Sequence, residues 1–384
     1  MRSNYKKLGQ YIKQVNIRNN DLAETTLLGV SIQKVLMPSI ANIVGTNMKT
    51  YKIIKKNQFA YGSVTSRNGN KISIALLEAH EVAIVSQAYT VFEIIDCEKL
   101  LPEYLMMWFR RPEFDRYARF KSHGSARETF DWDELCETQL PVPYPEKQRE
   151  IVAEYNTVQN RIQLNEQLIQ KLEETAQAIY REWFVEGIDY ENLPEGWEVK
   201  PFTKIVKLSG GGTPDTSNET YWNGDIPFFT PADVVDSHYS IKTEKFITEL
   251  GLKNSSTKLY PKDTVFVTAR GTVGALSLAG CPMTMNQSCY AITGKNGMNQ
   301  FFTHQITLST IEKLKKEAVG AVFAALVTKD FESQNLIEPD KTIIEIFGNK
   351  VKPIYDYILI VVNENQKLSE LKDLLLSKLT TVEI

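Results

Sequence analysis

The sequence lacks the features that mark several large classes of protein. Its four cysteines, Cys97, Cys136, Cys281 and Cys289, form no C-x-x-C pair, and its four histidines show no metal-ligand spacing, which favours reduced thiols over a metal site. No uncharged apolar run approaches the ~18 residues that a membrane span requires, and the polar amino terminus lacks the apolar core of a signal peptide. The net charge of −3 favours no particular partner. These absences predict a cytoplasmic protein without a metal or a membrane partner.

The motifs of common enzyme classes are missing as well. The glycines at 210–212 precede Thr-Pro-Asp and no lysine, so they do not form a P-loop. No G-x-S-x-G elbow or H-E-x-x-H pair is present, and the PVPYP run at 141–145 lacks the acidic or amide residue of an amino-methyltransferase motif. Asp340, Glu370 and Lys372 fit a nuclease pattern poorly, because the last two lie on a predicted helix as solvated positions. The sequence therefore predicts no catalytic centre.

The chain contains two copies of one pattern. Residues 59–94 and residues 263–293 both show a strand-like run, a glycine turn that carries an arginine, a second apolar run, and a Gln-small pair before another strand. Further on, residues 124–143 align with residues 320–339 without a gap. Identity at single positions is modest, but the shared order predicts two related globular units in a chain of 384 residues.

A long helical pattern closes each half. The first covers residues 145–184, and Asn165 takes the one polar position in a heptad seam formed by Ile151, Tyr155, Val158, Ile162, Ile169, Leu172, Ala176, Ile179 and Trp183. In the second, Glu364 takes the equivalent position among Ile354, Tyr357, Val361, Leu368, Leu371 and Leu375. Pro145 and Pro353 lie near the starts of the two patterns. These seams predict an intramolecular coiled coil, with two ordinary amphipathic core helices as the alternative.

A basic and aromatic segment in the first half is typical of a phosphate-binding surface. Residues 108–127 carry six arginines and lysines against only Glu113 and Asp115, with aromatic residues between them. On a helix the aromatic side chains would pack inward, while arginines such as Arg116, Arg119 and Arg127 would project toward DNA phosphates. A solvated basic helix is the alternative.

Turns in both halves carry side chains suited to reading bases. Arg67 and Arg270 lie at glycine turns, where a guanidinium at a loop tip can bind guanine through two hydrogen bonds. Gln87 and Gln287 can pair with adenine, and the glycines and threonines at 210–217 allow close backbone approach and donate to phosphate. The predicted DNA-binding residues are Arg67, Asn68, Gly69, Gln87, Arg116, Arg119, Arg127, Gly211, Gly212, Thr213, Thr216, Tyr221, Arg270, Thr272, Gln287 and Ser288.

The segment GGGTPDTSNETYWNGDIPFFTPADV at 210–234 closely resembles the signature that opens a target-recognition domain in specificity subunits of type I restriction–modification systems. The lead-in LPEGWEVKPFTKIVKLSGG and the long helix at 145–186 are similar to that family too, and the resemblance covers essentially the whole chain. The first half lacks the GGTP signature, and its residues 19–54 are similar to another recognition-domain subtype. The contacts of the first half therefore cannot be copied from the second.

The resemblance implies an α+β fold. Two mixed α/β target-recognition domains, residues 1–144 and 188–339, would be separated by two long helices, residues 145–187 and 340–384, packed as an antiparallel coiled coil. Each recognition domain would read one half of a bipartite double-stranded DNA target.

The resemblance also implies partners. Two modification (methyltransferase) subunits would dock on this chain, and restriction (ATP-dependent translocase–nuclease) subunits would join them. S-adenosylmethionine and ATP would bind those partners, so this chain would need no cofactor. A coiled-coil adaptor that binds proteins only and a DNA methyltransferase with its own recognition domain are the alternatives.

Overall fold

The structure, a computed structural model, describes residues 5–39, 45–66, 69, 71–124, 128–235, 239–317 and 325–381 of the chain. The chain divides into a first unit, Met1–Arg161 with Leu368–Ile384, and a second unit, Ile162–Lys367. The first unit contains the strands β1 (Tyr5–Lys7), β2 (Ile12–Val15), β3 (Leu27–Val30), β4 (Leu36–Pro38), β5 (Lys52–Lys55), β6 (Phe59–Gly62), β7 (Ser73–Leu76), β8 (Val82–Val85), β9 (Thr90–Ile94) and β10 (Gln139–Pro141). Its helices are α1 (Pro102–Arg110), α2 (Pro112–Lys121) and α3 (Trp132–Glu137).

The long helix α4 (Pro145–Phe184) follows, with residues in both units. The strands of the second unit are β11 (Glu198–Pro201), β12 (Val206–Gly210), β13 (Trp222–Phe229), β14 (Tyr239–Ser240), β15 (Lys245–Ile247), β16 (Val265–Thr268), β17 (Leu276–Ala279), β18 (Thr284–Met285), β19 (Cys289–Gly294) and β20 (Asn335–Glu338). Its helices are α5 (Phe202–Ile205), α6 (Glu249–Lys253), α7 (Gln300–Glu317) and α8 (Thr328–Glu332). The last helix, α9 (Lys341–Lys378), again has residues in both units.

The described residues of the first unit form antiparallel sheets and one mixed sheet. β1 pairs antiparallel with β10, the strand that leads into α4. One further sheet has the order β2-β9-β6-β7, and another has the order β4-β3-β8-β5, in which β3 and β8 are parallel. Neighbouring β6 and β9 stack Phe59 on Phe92 at 4.7 Å between ring centroids, and Phe109 of α1 contacts both rings edge-on. This aromatic cluster lies in the core that holds α1 against the sheet.

The second unit repeats this topology. β11 pairs antiparallel with β20, the strand that leads into α9. The larger sheet has the order β12-β19-β16-β17-β14, and β13 and β18 form a parallel pair like β3 and β8. Residues 59–94 thus form β6 to β9, and residues 263–293 form β16 to β19 in the same pairing order. The predicted internal repeat and the predicted mixture of helices and sheets are both confirmed.

Helix α4 follows the predicted seam closely. It spans 40 residues, and every predicted seam position is buried or half-buried, including Asn165. In the last turns the fully buried residues are Ala176, Tyr180 and Phe184, at a spacing of four. The buried stripe therefore drifts away from the heptad there, as expected for a straight helix of 3.6 residues per turn. Phe184 packs against Phe302 and Phe347 in the core of the second unit.

Helix α9 departs from the predicted seam. It begins at Lys341, close to the expected start at residue 340, but Pro353 lies inside the helix rather than near its start. Tyr357 and Leu371 were expected in the seam but are 47% and 43% exposed. The buried hydrophobic side chains of α9 are Ile344, Phe347, Val351, Tyr355, Ile358, Val361 and Leu376. Because α9 has apolar residues on two faces, a heptad pattern fits either face. The predicted seam combined positions from both faces.

The two long helices run antiparallel where they meet. In the second unit Asn165 Nδ2 donates to Asn365 Oδ1 over 2.8 Å, and the Tyr180 ring lies 6.2 Å from the Phe347 ring. Asn165 thus faces Asn365, and the later residue Tyr180 faces the earlier residue Phe347, which is the order of an antiparallel pair. The residue opposite Asn165 is Asn365, which directly follows Glu364, the polar residue at the equivalent position of the second predicted seam.

Candidate nucleic-acid interface

The glycine run of the second unit is held against neighbouring backbone. A Cβ atom added to Gly211 would lie 2.0 Å from the carbonyl oxygen of Asn286, and one added to Gly212 would lie 2.1 Å from Ser256 Oγ and 2.6 Å from the Thr257 nitrogen. No side chain fits at these distances. Gly211 therefore lets the loop after β12 lie directly on the turn between β18 and β19, and Gly212 lets it lie against Ser256 and Thr257.

This close approach brings two predicted residues together. The Thr213 hydroxyl donates a hydrogen bond to Oε1 of Gln287, which is exposed in the β18–β19 turn. In the same turn the Ser288 nitrogen donates to Asn286 Oδ1 over 3.0 Å, and the Ser288 carbonyl accepts from the Ala269 nitrogen over 2.7 Å. The second bond joins this turn to the one that follows β16. Gly211, Thr213, Gln287 and Ser288 thus lie close together, with Gly212 buried beneath them.

The turn between β16 and β17 presents Arg270. Gly271 has a φ of +80°, a backbone conformation that favours glycine. The Thr268 hydroxyl donates to the Thr272 carbonyl, and the Thr272 hydroxyl donates to the Pro231 carbonyl over 3.4 Å. Arg270 is exposed at the tip and makes no ion pair with any residue that the structure describes. Its guanidinium is therefore available to a ligand.

Thr216 and Tyr221 belong to a different part of the loop. Thr216 is exposed in a turn where the Asp215 carboxylate accepts from both the nitrogen and the hydroxyl of Ser217. Tyr221 is half-buried, and its backbone packs against Gly251 of α6. Within the described part of the chain, no hydrogen bond joins either residue to the Gln287 turn. A role for them in binding DNA stays a prediction.

The first unit places its predicted residues at corresponding turns. Gln87 is exposed between β8 and β9, as Gln287 is between β18 and β19. Gly69 is exposed with a φ of +60° between β6 and β7, as Gly271 is between β16 and β17. Arg67, Asn68 and Arg127 lie outside the described residues. The equivalence of the turns follows from the shared strand order and was expected from the sequence repeat.

The basic helix α2 is largely neutralised by carboxylates. Arg116 pairs with Glu113 at 3.0 Å, and Arg119 pairs with Glu128. Lys121 lies 3.3 Å from Glu134. The sequence segment itself contains only two acidic residues. Glu128 and Glu134 follow it in the chain, and only the folded structure brings them next to α2. Any phosphate contact by Arg116 or Arg119 would compete with these pairs, so that role stays a prediction.

The aromatic residues of this segment do not all face inward. Trp108, Phe109 and Phe114 are buried, as expected, and the Arg111 guanidinium stacks 4.2 Å from the Trp108 ring centroid. Phe120, however, is 84% exposed, so the inward expectation is wrong for this residue. It lies near the end of α2, two residues after the buried Ala118.

A buried ion pair supports the first unit near its predicted reading turn. Lys34 Nζ lies 2.8 Å from Asp115 Oδ1, and both residues are buried. Asp115 Oδ1 also accepts from the Ile72 nitrogen over 3.0 Å, just after the β6–β7 turn. Burial lowers the pKa of Lys34 despite the opposing effect of Asp115. This pair could not be predicted from the sequence, because the two residues are distant in the chain and no local motif joins them.

Other chemistry is sparse in the described residues. They contain no group of three or more His, Cys, Asp or Glu side chains placed to hold a metal ion. Burial raises the pKa of the Cys289 thiol to about 12, so that thiol is unreactive near neutral pH. Nor does any described helix combine the length and apolar character needed to cross a membrane.

Comparisons with known proteins identify the family. The model of the type I restriction modification DNA specificity domain matches residues 5–174 and again residues 194–372. The chain is 24% identical to the specificity subunit of the type I restriction enzyme HindI of Haemophilus influenzae, covering 91% of this chain and 92% of that protein. It is 34% identical to the type I restriction enzyme MjaIX specificity subunit of Methanocaldococcus jannaschii over 36% of this chain and 33% of that one.

A solved structure shares the fold. The S subunit of a type I restriction–modification system from M. genitalium superposes with a TM-score of 0.56 at 13% identity, covering 99% of this chain and 96% of that one. Its likeness concerns the fold alone. Since the family model matches most of the chain in two tandem segments, this protein belongs to the family of type I restriction–modification DNA specificity subunits.

Proposed function

We propose that this chain reads a bipartite double-stranded DNA target, one half-site with each unit, and catalyses no reaction itself. The observation that carries the proposal is the repeated turn architecture. The β6–β7 and β8–β9 turns of the first unit correspond to the β16–β17 and β18–β19 turns of the second. The corresponding turns differ in sequence, which suits two units that read different half-sequences.

Within the second unit, the exposed polar groups favour base reading by Arg270 and Gln287. Arg270 is not engaged by a carboxylate of the described residues, and a planar guanidinium can bind the O6 and N7 acceptors of guanine together. Arg116 of the first unit, in contrast, is held by Glu113 at 3.0 Å. We therefore assign sequence reading to the turns and at most a secondary phosphate contact to α2.

Apolar surface on α9 supports docking of the partner subunits. In the second unit Tyr357 is 47% and Ile360 is 62% exposed. In the first unit Leu371 is 43% and Leu374 is 58% exposed. We call these pairs the Tyr357 patch and the Leu371 patch. One patch on each unit suits two modification (methyltransferase) subunits, and restriction (ATP-dependent translocase–nuclease) subunits would join through them.

The test of this function is an exchange of one recognition region. Residues 196–338 are replaced by the equivalent segment of another family member, and the chain is expressed with its modification subunits. A methylation map should then show a new second half-site and an unchanged first half-site. A change in both half-sites would contradict independent reading, and the absence of any DNA binding by the assembled complex would favour a protein-only adaptor.

A further inference from the structure

The side chain of Gln287 is oriented by a residue that is distant in sequence. The Thr213 hydroxyl donates to Oε1 of Gln287, which uses one of the two lone pairs of this oxygen and turns the oxygen toward the protein. Its Nε2 group has no acceptor among the described residues, and the side chain is exposed. Gln287 therefore presents hydrogen-bond donors to an outside partner.

The position of Thr213 is fixed by the backbone that precedes it. The Gly211 nitrogen donates to the Cys289 carbonyl over 3.3 Å, and the Gly212 nitrogen donates to the Met285 carbonyl over 3.2 Å. Both bonds tie the loop to the strands on either side of the Gln287 turn. Because neither glycine has space for a Cβ atom, the loop lies against the turn and holds the hydroxyl in place.

The neighbouring turn adds donors of the same kind. The Ala269 nitrogen donates to the Ser288 carbonyl in the Gln287 turn. Arg270 directly follows Ala269, so its backbone lies beside that turn. A guanidinium has only donors, and the Thr272 hydroxyl proton is directed to the Pro231 carbonyl. Two exposed side chains of this surface, Gln287 and Arg270, thus both offer N–H groups to DNA.

We propose that Thr213 sets the base preference of Gln287 and makes it a reader of guanine rather than adenine. A glutamine that reads adenine needs both ends of its amide, since its oxygen accepts from N6 while its nitrogen donates to N7. Guanine presents only the acceptors N7 and O6 in the same part of the major groove. With its oxygen held by Thr213, Gln287 matches guanine. This inference rests on the proposed DNA-reading function.

The test uses the chain in complex with its modification subunits and a DNA library randomised across the second half-site. The Gln287→Leu variant first identifies the base pair that Gln287 reads, as the position where selectivity is lost. At that position the unmodified chain and Thr213→Ser, which keeps the hydroxyl, should prefer guanine over adenine by about tenfold or more. Thr213→Val, which has similar shape but no donor, should reduce this ratio to about threefold or less because the amide is free to turn.

Selectivity at the first half-site serves as the internal control for folding and assembly. Adenine preferred at the Gln287 position by the unmodified chain would overturn the inference, and so would an unchanged ratio in Thr213→Val. If Thr213→Val does not assemble, adenine preferred at the Gln287 position by the unmodified chain still overturns the inference. Failure of the proposed function looks different, since the complex would then select no split sequence at all.

Discussion

Asn165 and Asn365 form a side-chain hydrogen bond of 2.8 Å between Nδ2 and Oδ1 where the two long helices pack in the second unit. Asn165 is only 2% exposed and lies between the buried residues Ile162 and Ile169 on the same face of α4. A buried amide pair in an apolar helix interface stabilises less than aliphatic packing of the same volume. It does specify which residues lie opposite each other, because any other alignment buries an amide against hydrocarbon.

The Asn165→Leu variant should therefore lower the free energy of unfolding of the second unit by about 1–3 kcal/mol, since it removes a partner of the Asn365 amide. The Asn165→Leu/Asn365→Leu variant should recover most of that loss. Urea denaturation read by hydrogen exchange in α4 and α9 measures both effects, and Gln170→Leu, at an exposed position of α4, is the control. A double variant that is less stable than either single variant would show that the amide pair is a net source of stability.

Arg270→Ala should weaken binding to the specific target more than binding to random DNA. A lost guanine contact removes ~1–3 kcal/mol of discrimination, whereas a lost phosphate contact weakens all sequences alike. Arg116→Ala is the matched control, because its guanidinium is already paired with Glu113. Competition binding at fixed salt with the assembled complex gives both affinities. Equal loss on target and random DNA would make Arg270 a phosphate contact.

Lys34→Met should destabilise the first unit by about 3 kcal/mol, because the Asp115 carboxylate would stay buried without its cation. The backbone N–H of Ile72 donates to Asp115, so its protection from hydrogen exchange should fall as well. Hydrogen exchange during urea denaturation checks both points. Arg116→Met breaks an exposed pair and should cost about 0–1 kcal/mol. If Lys34→Met costs no more than this control, the buried pair contributes nothing to stability.

Ile360→Asp and Leu374→Asp should each weaken recruitment of one modification subunit. A carboxylate in an apolar contact loses its hydration without gaining a partner. The two substitutions lie in the Tyr357 patch and the Leu371 patch, so the double variant should bind neither subunit, which analytical ultracentrifugation of the mixed proteins would measure. Ala178→Asp, at an exposed position of α4, is the control. Complexes of unchanged stoichiometry would exclude the two patches as docking surfaces.

The long helices show which features of the fold can be read from sequence. The seam of α4 was predicted because most of its apolar side chains lie on one face over many turns. In α9, Tyr357 and Leu371 are as apolar as the buried residues but lie on an exposed face, and periodicity alone does not tell which face packs inward. Which face of α9 packs inward depends on its contacts with the rest of the unit, and those contacts cannot be read from the sequence of the helix alone.

The candidate site shows the same limit. The repeat predicted that Gln287 and Arg270 occupy turns next to strands. The glycine run was expected to let the backbone approach a DNA phosphate, and in the structure Gly211 and Gly212 instead pack the loop against the protein's own backbone. The bond from Thr213 to Gln287 was not predictable, because it depends on how two loops meet. Nor could the sequence show that Glu128 pairs with Arg119, since that pair forms between separate segments.

The last prediction concerns the spacing between half-sites. We expect the long helices to set it, and α4 has 40 residues, or ~60 Å at ~1.5 Å each. Lengthening both helices in register requires insertion points that lie opposite each other. Ile162 lies between Gln159 and Asn165 on α4. Leu368 lies between their partners on α9, which are Lys372 for Gln159 and Asn365 for Asn165.

Seven residues inserted after Ile162 and seven after Leu368 should preserve the seam and add ~10 Å, or about three base pairs at ~3.4 Å each. The methylated target should then keep both half-sequences and gain about three unread base pairs between them. Insertion in one helix alone shifts every contact beyond it, so that variant should not assemble and serves as the control. Methylation maps of strains that express each variant give the result. Activity that persists only at the original spacing would mean that the partner subunits, and not these helices, set the distance.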